Sequence, residues 1–201
     1  MLVGHDLING ETMNAFSLKT PRLCLRPWQE SDQEAFAAMN ADPEVMLHFP
    51  ALLNRTESDG LMDRFVNHFE THGWGRWAVE ERKTGKLLGF CGLATVPFQT
   101  PFTPAVEIGW RLARDYWGKG YAFEAAQAAM RDGFERLHLP EIVSFTVPAN
   151  VRSYRLMQRL GMQPGKNFEH PKLPVGHPLR EHVLYRITRS QFEKKGADQV
   201  H

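Results

Sequence analysis

Cysteine is scarce: Cys24 and Cys91 are the only two among 201 residues. A framework of several disulfides is therefore excluded. Both lie in strand-like apolar runs, so buried thiols are expected rather than a disulfide or a nucleophile. Excess charge is lacking too. Lys and Arg number 24 against 23 Asp and Glu, a net charge of +1, which gives no general electrostatic reason to bind nucleic acid or an acidic membrane. No apolar run approaches the roughly 20 residues of a membrane helix. The start of the chain has no basic-then-apolar leader pattern, so a cytoplasmic location is the expectation. Repeats and low-complexity tracts are missing as well. What is present, 42% hydrophobic and 23% charged residues, is the composition of one globular domain with a substantial core.

The chain is organised around residues 107–137, EIGWRLARDYWGKGYAFEAAQAAMRDGFERL. Residues 105–112 read as a strand and 115–120 as a glycine-containing turn. A helix follows, with small or apolar residues at Ala122, Ala125, Ala126, Ala129, Met130, Gly133, Phe134 and Leu137. Those positions step by three and four, so one face packs on a sheet, and its Ala and Gly let it sit close. Glycines at a strand-to-helix turn let backbone approach a ligand, and the N–H groups of the first helical turn point outward. Such a turn cradles an anion, most naturally a phosphate or pyrophosphate. Two common phosphate motifs do not match. A P-loop needs Lys and Ser/Thr after its second glycine, whereas Gly118-Lys119-Gly120 leads into Tyr121; a dinucleotide fingerprint needs a third glycine where Phe123 stands.

Before this unit, residues 20–27 alternate as a first strand ended by Pro27. Ser31 to Glu34 matches a capping box opening a helix, and residues 56–59 open another with Leu61, Met62, Phe65, Val66 and Phe69 on one side. Between them lies a Pro-bounded turn whose Met46, His48 and Phe49 are candidates to line a pocket. Residues 74–80 and 87–96, joined by Lys83-Thr84-Gly85-Lys86, form a hairpin. Trp74 and Trp77 read as core. After the central helix, residues 141–147 form a β-branched strand, and 150–160 a helix capped by Asn150 and stopped by Gly161. A final pair of strands follows at 162–168 and 182–188. Residues 1–18 read as an N-terminal extension, 19–190 as the domain and 191–201 as a tail. Counting elements gives an α/β class with a mixed sheet.

The segment from Tyr116 to Ala125, YWGKGYAFEA, closely resembles the acetyl-coenzyme A loop of the GNAT N-acetyltransferases, in the RimJ/RimL-like branch. The wider family shows Gln or Arg, two residues, Gly, one residue, then Gly or Ala. Here Gly120 and Ala122 keep that frame, and Trp117 stands in the first position, as is common in the branch. A second match is Asn150-x-x-Ser153, then Leu156 and Leu160-Gly161-Met162, similar to the family's helix after the fifth strand. The resemblance spans about residues 20–189. It implies the GNAT fold, a mixed and mostly antiparallel sheet of about six to seven strands flanked by helices. It further implies acetyl-CoA as co-substrate, a primary amine acceptor (a protein N-terminus or a small molecule), and no metal. A homodimer is left open.

For site residues the resemblance implies cofactor contacts from Trp110, Arg111 and Leu112 on the strand, from Trp117, Gly118, Lys119, Gly120, Tyr121 and Ala122 in the loop, and from Asn150 and Ser153. Amide formation from an amine and a thioester needs a base, donors for the oxyanion and an acid for the thiolate. Glu107 is the candidate base, set in an apolar frame that raises a carboxyl pKa; its alternative is a strand carboxylate paired with Arg111 or solvent. Backbone N–H groups of residues 108–111 would hold the oxyanion if the strand bulges as in the family. Many members place a Tyr seven residues after the Asn; here Met157 stands there, which leaves Ser153 as the hydroxyl, with Tyr154 as fallback. Asn150 is equally explained as an N-cap, and Lys119 as a solvated lysine. His170 and His177 are candidates for the rim of the acceptor pocket; with His182 their spacing matches no zinc signature. Two other classes compete: a non-catalytic CoA-binding or interaction module, fed by Met157, and a nucleotide-using transferase, disfavoured by the missing Walker lysine.

Overall fold

Alternating apolar residues build a central sheet, and the two sets of side chains each face a different pair of helices. The computed structural model describes residues 17–198. In chain order the elements are β1 (Leu18–Lys19), β2 (Leu23–Arg26), α1 (Gln33–Ala41), α2 (Arg55–His72), β3 (Arg76–Glu81), β4 (Leu87–Thr95), β5 (Val106–Leu112), α3 (Tyr121–Glu135), β6 (Glu141–Thr146), α4 (Val151–Leu160), β7 (Gln163–Pro164), β8 (Phe168–Glu169), β9 (Glu181–Thr188) and α5 (Arg189–Asp198). The sheet runs β1-β2-β3-β4-β5-β6-β9-β7, with β8 also on β9. Three of the nine strands have two residues, so the long strands meet the expected number. Pairing is antiparallel except between β5 and β6.

One face carries Leu23, Leu25, Trp77, Val79, Cys91, Leu93, Ile108 and Ile142, packed under α3 and α4. In α3, Ala125, Ala126 and Ala129 are fully buried. A Cβ at Gly133 would meet Ile142 Cδ1 at 2.9 Å and Leu93 Cδ1 at 3.0 Å, so the small-residue face does bring this helix close to the sheet. The opposite face carries Ala78 and Phe90 beneath Trp28, Phe36, Met39, Met62 and Phe65 of the α1–α2 side. Here the chain also buries charge. Arg26 donates to both oxygens of Asp32, at 2.7 and 2.8 Å, and to Glu80 at 2.6 Å. Those acids hold the guanidinium charged although burial disfavours it.

Several expectations change in detail. The Ser31–Glu34 box is replaced by one between Gln29 and Asp32: Asp32 Oδ2 accepts from Gln29 N at 2.9 Å, because Asp32 is drawn inward by Arg26. The second helix is capped by Asn54, whose side chain and that of Glu57 bond reciprocally to backbone. Leu18 pairs with Leu25 and so joins the sheet. The tail expected from residue 191 is helical to Asp198, and Phe192 packs 4.9 Å from Phe134. Both cysteines are free thiols, and burial pushes Cys91 well above the usual thiol range.

Candidate active site

The turn between β5 and α3 is shaped by one tryptophan and two glycines. The indole N–H of Trp117 donates to Leu112 O at 2.8 Å and folds the turn back onto the strand end. Gly118 and Gly120 take φ of 73° and 81°, the left-handed region in which any other residue is strained. Gly120 is the N-cap of α3 and brings no side chain to cap it. The first bond back into the helix is Glu124 N to Gly120 O, at 3.1 Å. The N–H groups of Tyr121, Ala122 and Phe123 thus have no acceptor within the helix and face outward. A Cβ on Gly118 would meet nothing within 4 Å, so the loop opens to a ligand. Cations surround it: Arg22 donates to Lys119 O at 2.9 Å and lies 4.5 Å over the Tyr121 ring, and the Arg152 guanidinium lies 4.7 Å over Trp117. Lys119 is exposed, its Nζ 5.8 Å from the Tyr116 ring centre. This donor set and open backbone fit a pyrophosphate. Glu124 in the first helical turn would oppose an anion. Burial works against its charge, but hydrogen bonds from Thr20 and Arg22 hold it ionised and below the usual range, and Arg22 balances it at 2.6 Å.

Beside this turn the sheet opens. β5 keeps unbroken register with β4 across all its residues, from Gly89↔Leu112 to Thr95↔Val106. The bulge expected in β5 is therefore absent. Instead β5 and β6 pair only at Glu107↔Val143 and then part, bridged by Ser144 Oγ donating to Ile108 O at 2.9 Å. Ala113 N donates to Leu88 O, which by alternation turns the polar groups of residues 107, 109 and 111 toward β4 and those of 108, 110 and 112 toward the gap. Divergence of β6 thus leaves the Trp110 N–H facing the opening, where a bulge would have freed it by another route. Of the strand residues expected at the cofactor, Trp110 and Leu112 present backbone to the gap, and Arg111 presents its backbone to β4.

Glu107 lies on the α1–α2 side of the same strand, its side chain 15% exposed, and accepts from Arg76 Nη2 at 3.2 Å. Burial pushes its carboxyl above the usual carboxylate range, and the Arg76 charge offsets this in part. Arg111, the alternative partner, is engaged elsewhere: it donates to Asn40 Oδ1 at 2.6 Å and stacks 4.0 Å from the Phe49 ring. Phe49 thus packs against β5, and burial together with the charge of Arg152 pulls the neighbouring His48 imidazole below its usual range. Met46, expected with them, is instead buried in the core.

At the start of α4, Asn150 does what an N-cap does. Its Oδ1 accepts from Ser153 N at 3.3 Å, and its Nδ2 donates to Thr146 Oγ1 at 3.0 Å, tying the helix to the end of β6. Ser153 is half-buried, whereas Met157 is 1% exposed within the core cluster. Met157 and Ser153 therefore do not share an open stripe, and Tyr154 packs against the same core. His170 joins a half-buried ring cluster with Phe98 at 4.6 Å and His182 at 5.1 Å. His177 instead serves its own loop, its Nδ1 accepting from Leu179 N. Among the described residues no grouping of three or more His, Cys, Asp or Glu could hold a metal. Sequence reasoning missed Arg22, Arg76 and Arg152, since an arginine on a strand or helix reads as solvated until its neighbours are known.

The profile of the acetyltransferase (GNAT) domain matches residues 22–163. Protein YkkB of Bacillus subtilis (strain 168), itself uncharacterized, is 32% identical over 165 residues, 81% of this chain and 95% of the relative. The [ribosomal protein uS5]-alanine N-acetyltransferase of Escherichia coli (strain K12) is 26% identical over 129 residues, 64% of this chain and 63% of that protein. The crystal structure of a GNAT-family acetyltransferase from Bacillus anthracis superposes with a TM-score of 0.73 at 26% identity, covering 87% of this chain and 99% of that one. With residues 22–163 matched, most of the chain, the protein belongs to the GNAT acetyltransferases, and its relatives include a ribosomal-protein-alanine acetyltransferase.

Proposed function

We propose that the protein moves the acetyl group of acetyl-CoA to a primary amine by direct attack in a ternary complex, with Glu107 as the base. The observation that carries this reading is the juxtaposition of an open helix N-terminus at Gly120 with the parting of β5 and β6 beside Glu107. The pyrophosphate binds the N–H groups of Tyr121 to Phe123, supported by Arg22 and Lys119, and the pantetheine arm runs into the gap. The amine nitrogen attacks the thioester carbon as Glu107 accepts its proton. The Trp110 N–H stabilises the oxyanion. Collapse breaks the carbon–sulfur bond, and the thiolate takes a proton from Ser153 or from water. Asn150 positions Ser153 by capping the helix. A cytoplasmic setting, where acetyl-CoA is at hand, suits this reaction, and no described helix is long and apolar enough to cross a membrane.

Calorimetry and a free-thiol assay test the reading together. Acetyl-CoA and CoA are expected to bind in the micromolar range, with ATP and NAD much weaker, and thiol release is expected to require an amine. Equal affinity for ATP or NAD overturns the cofactor assignment. A protein that binds CoA and releases no thiol with any amine in a broad screen is a binding module.

A further inference from the structure

Beside Glu107, positive charge outnumbers negative. Arg76, opposite Gly92 on β4, extends across that strand to Gly109, whose lack of a side chain makes room for it: a Cβ at Gly109 would stand 3.4 Å from Arg76 Nη2 and 3.5 Å from Glu107 Oε1. Arg111, two residues on and on the same side of β5, has a neutral amide, Asn40, as its hydrogen-bond partner. The two guanidiniums flank one ring, Phe90, at 5.7 and 5.4 Å. Neither Nε has a partner among the described residues. Burial together with the charge of Arg76 pulls Arg111 down to about 10. Arg76 thus takes the one carboxylate and Arg111 is left with an amide, while burial disfavours the ionised form of that carboxylate. This arrangement is poor for the free protein and well suited to an added anion.

The other flank of Glu107 is aromatic. Phe145 follows Val143, the partner of Glu107, by two residues and so lies on the same side of the sheet. Around it stand Phe98 at 5.9 Å, Phe168 at 5.3 Å and Phe102 at 6.1 Å. All four rings are half-buried, so one side of the cluster is reachable.

We infer that the acceptor is a free α-amino acid with an apolar or aromatic side chain, its ammonium on Glu107, its carboxylate on Arg111 and Arg76, and its side chain toward Phe145. The inference rests on the N-acetyltransferase reading and narrows it to one substrate class. An α-amino acid carries its ammonium nitrogen two bonds from its carboxylate carbon, and the protein offers the complementary pair, Glu107 Oε2 and Arg76 Nη2, at 3.2 Å. Each end of the amino acid takes the opposite member, and Arg111 supplies a cation that has no acid among the described residues. A polyamine would bring a second cation against two guanidiniums. A protein N-terminus, its carboxyl locked in a peptide bond, would leave both without an anion.

The experiment compares L-phenylalanine, L-leucine and L-methionine with their amides and with the corresponding decarboxylated amines, reading thiol release at saturating acetyl-CoA. The amides are the decisive partners, since they lose only the charge and their amines deprotonate more easily. Loss of a charge-assisted hydrogen bond in a half-buried site predicts a KM at least about 10-fold higher for amide than for acid. In Arg111→Gln that ratio is expected to fall toward one, with acetyl-CoA affinity as the measure of intact folding. Amides or decarboxylated amines used as well as the acids overturn the carboxylate assignment and leave the transferase reading standing; so does an Arg111→Gln enzyme that binds acetyl-CoA and keeps the full ratio. Should Arg111→Gln fail to bind acetyl-CoA, the wild-type comparison alone decides. No thiol release with any of these compounds, given bound acetyl-CoA, overturns the amino-acid assignment, and the broad amine screen then decides the transferase reading.

Discussion

Replacing Glu107 by Gln separates a catalytic base from a structural ion pair, because the two roles move stability in opposite directions. In the native protein the carboxylate is 15% exposed and 3.2 Å from Arg76. With an effective dielectric near 20 that attraction is worth about 5 kcal/mol, against a desolvation penalty of several kcal/mol per ion. The upward displacement of the Glu107 carboxyl means that burial wins. The sign follows by linkage: below the ordinary carboxylate pKa the group is protonated in both folded and unfolded chains and costs nothing. As pH rises through the folded value, the native state must ionise it at a loss, and that loss is complete above it. Gln mimics the protonated form. The variant is therefore expected to melt higher than wild type at neutral pH and equal to it in acid, each kcal/mol shifting Tm by about 2–4 °C in a chain of this size. Turnover is expected to fall by roughly 10² to 10⁴ with acetyl-CoA affinity unchanged, and the acidic limb of the kcat/KM profile to vanish. Thermal melts and pH–rate profiles of both proteins are the assays. A Gln variant that melts lower at pH 7 and keeps full activity would assign Glu107 to structure and refute the reasoning.

Gly120→Val is expected to abolish acetyl-CoA binding in calorimetry. The nearest atom to a new Cβ is the Arg22 Nη2 at 3.4 Å, so the obstacle is the φ of 81° and the approach of the pyrophosphate rather than crowding. Ser153→Ala is expected to slow turnover at saturating acceptor while leaving acetyl-CoA affinity nearly intact; full turnover in stopped assays would hand thiolate protonation to water. Met157→Tyr is expected not to restore it, since Met157 is enclosed in the core, and urea unfolding should show a loss of about 1–3 kcal/mol from overpacking. Asp32→Ala strips Arg26 of its bidentate partner in a buried setting, and the same unfolding experiment should show a loss of about 3–5 kcal/mol.

What the sequence determined by itself was whatever depends on neighbours along the chain. The step of three and four from Ala122 to Phe134 is enough to define a helix and its packed face, because both follow from 3.6 residues per turn. The glycines at 118 and 120 were legible for the same reason: a left-handed backbone is a local requirement, and the structure places both there. Asn150 and Gly161 marked the two ends of α4 by capping chemistry alone. Tertiary structure decided everything that depends on which strands lie side by side. Arg76, not Arg111, meets Glu107, since β3 delivers a side chain across two glycines from a strand 31 positions earlier in the chain. Asp32 caps where Ser31 was expected because Arg26 draws it inward. The route to a free backbone donor at Trp110 was likewise undecidable locally: β5 alone looks the same whether it bulges or its neighbour leaves it. Met157 was placed by sequence position at the cofactor and by packing in the core, because a helix of ten residues with Leu156 and Leu160 beside it must bury that stripe. Periodicity fixes which residues share a face; only the packed sheet fixes what that face meets.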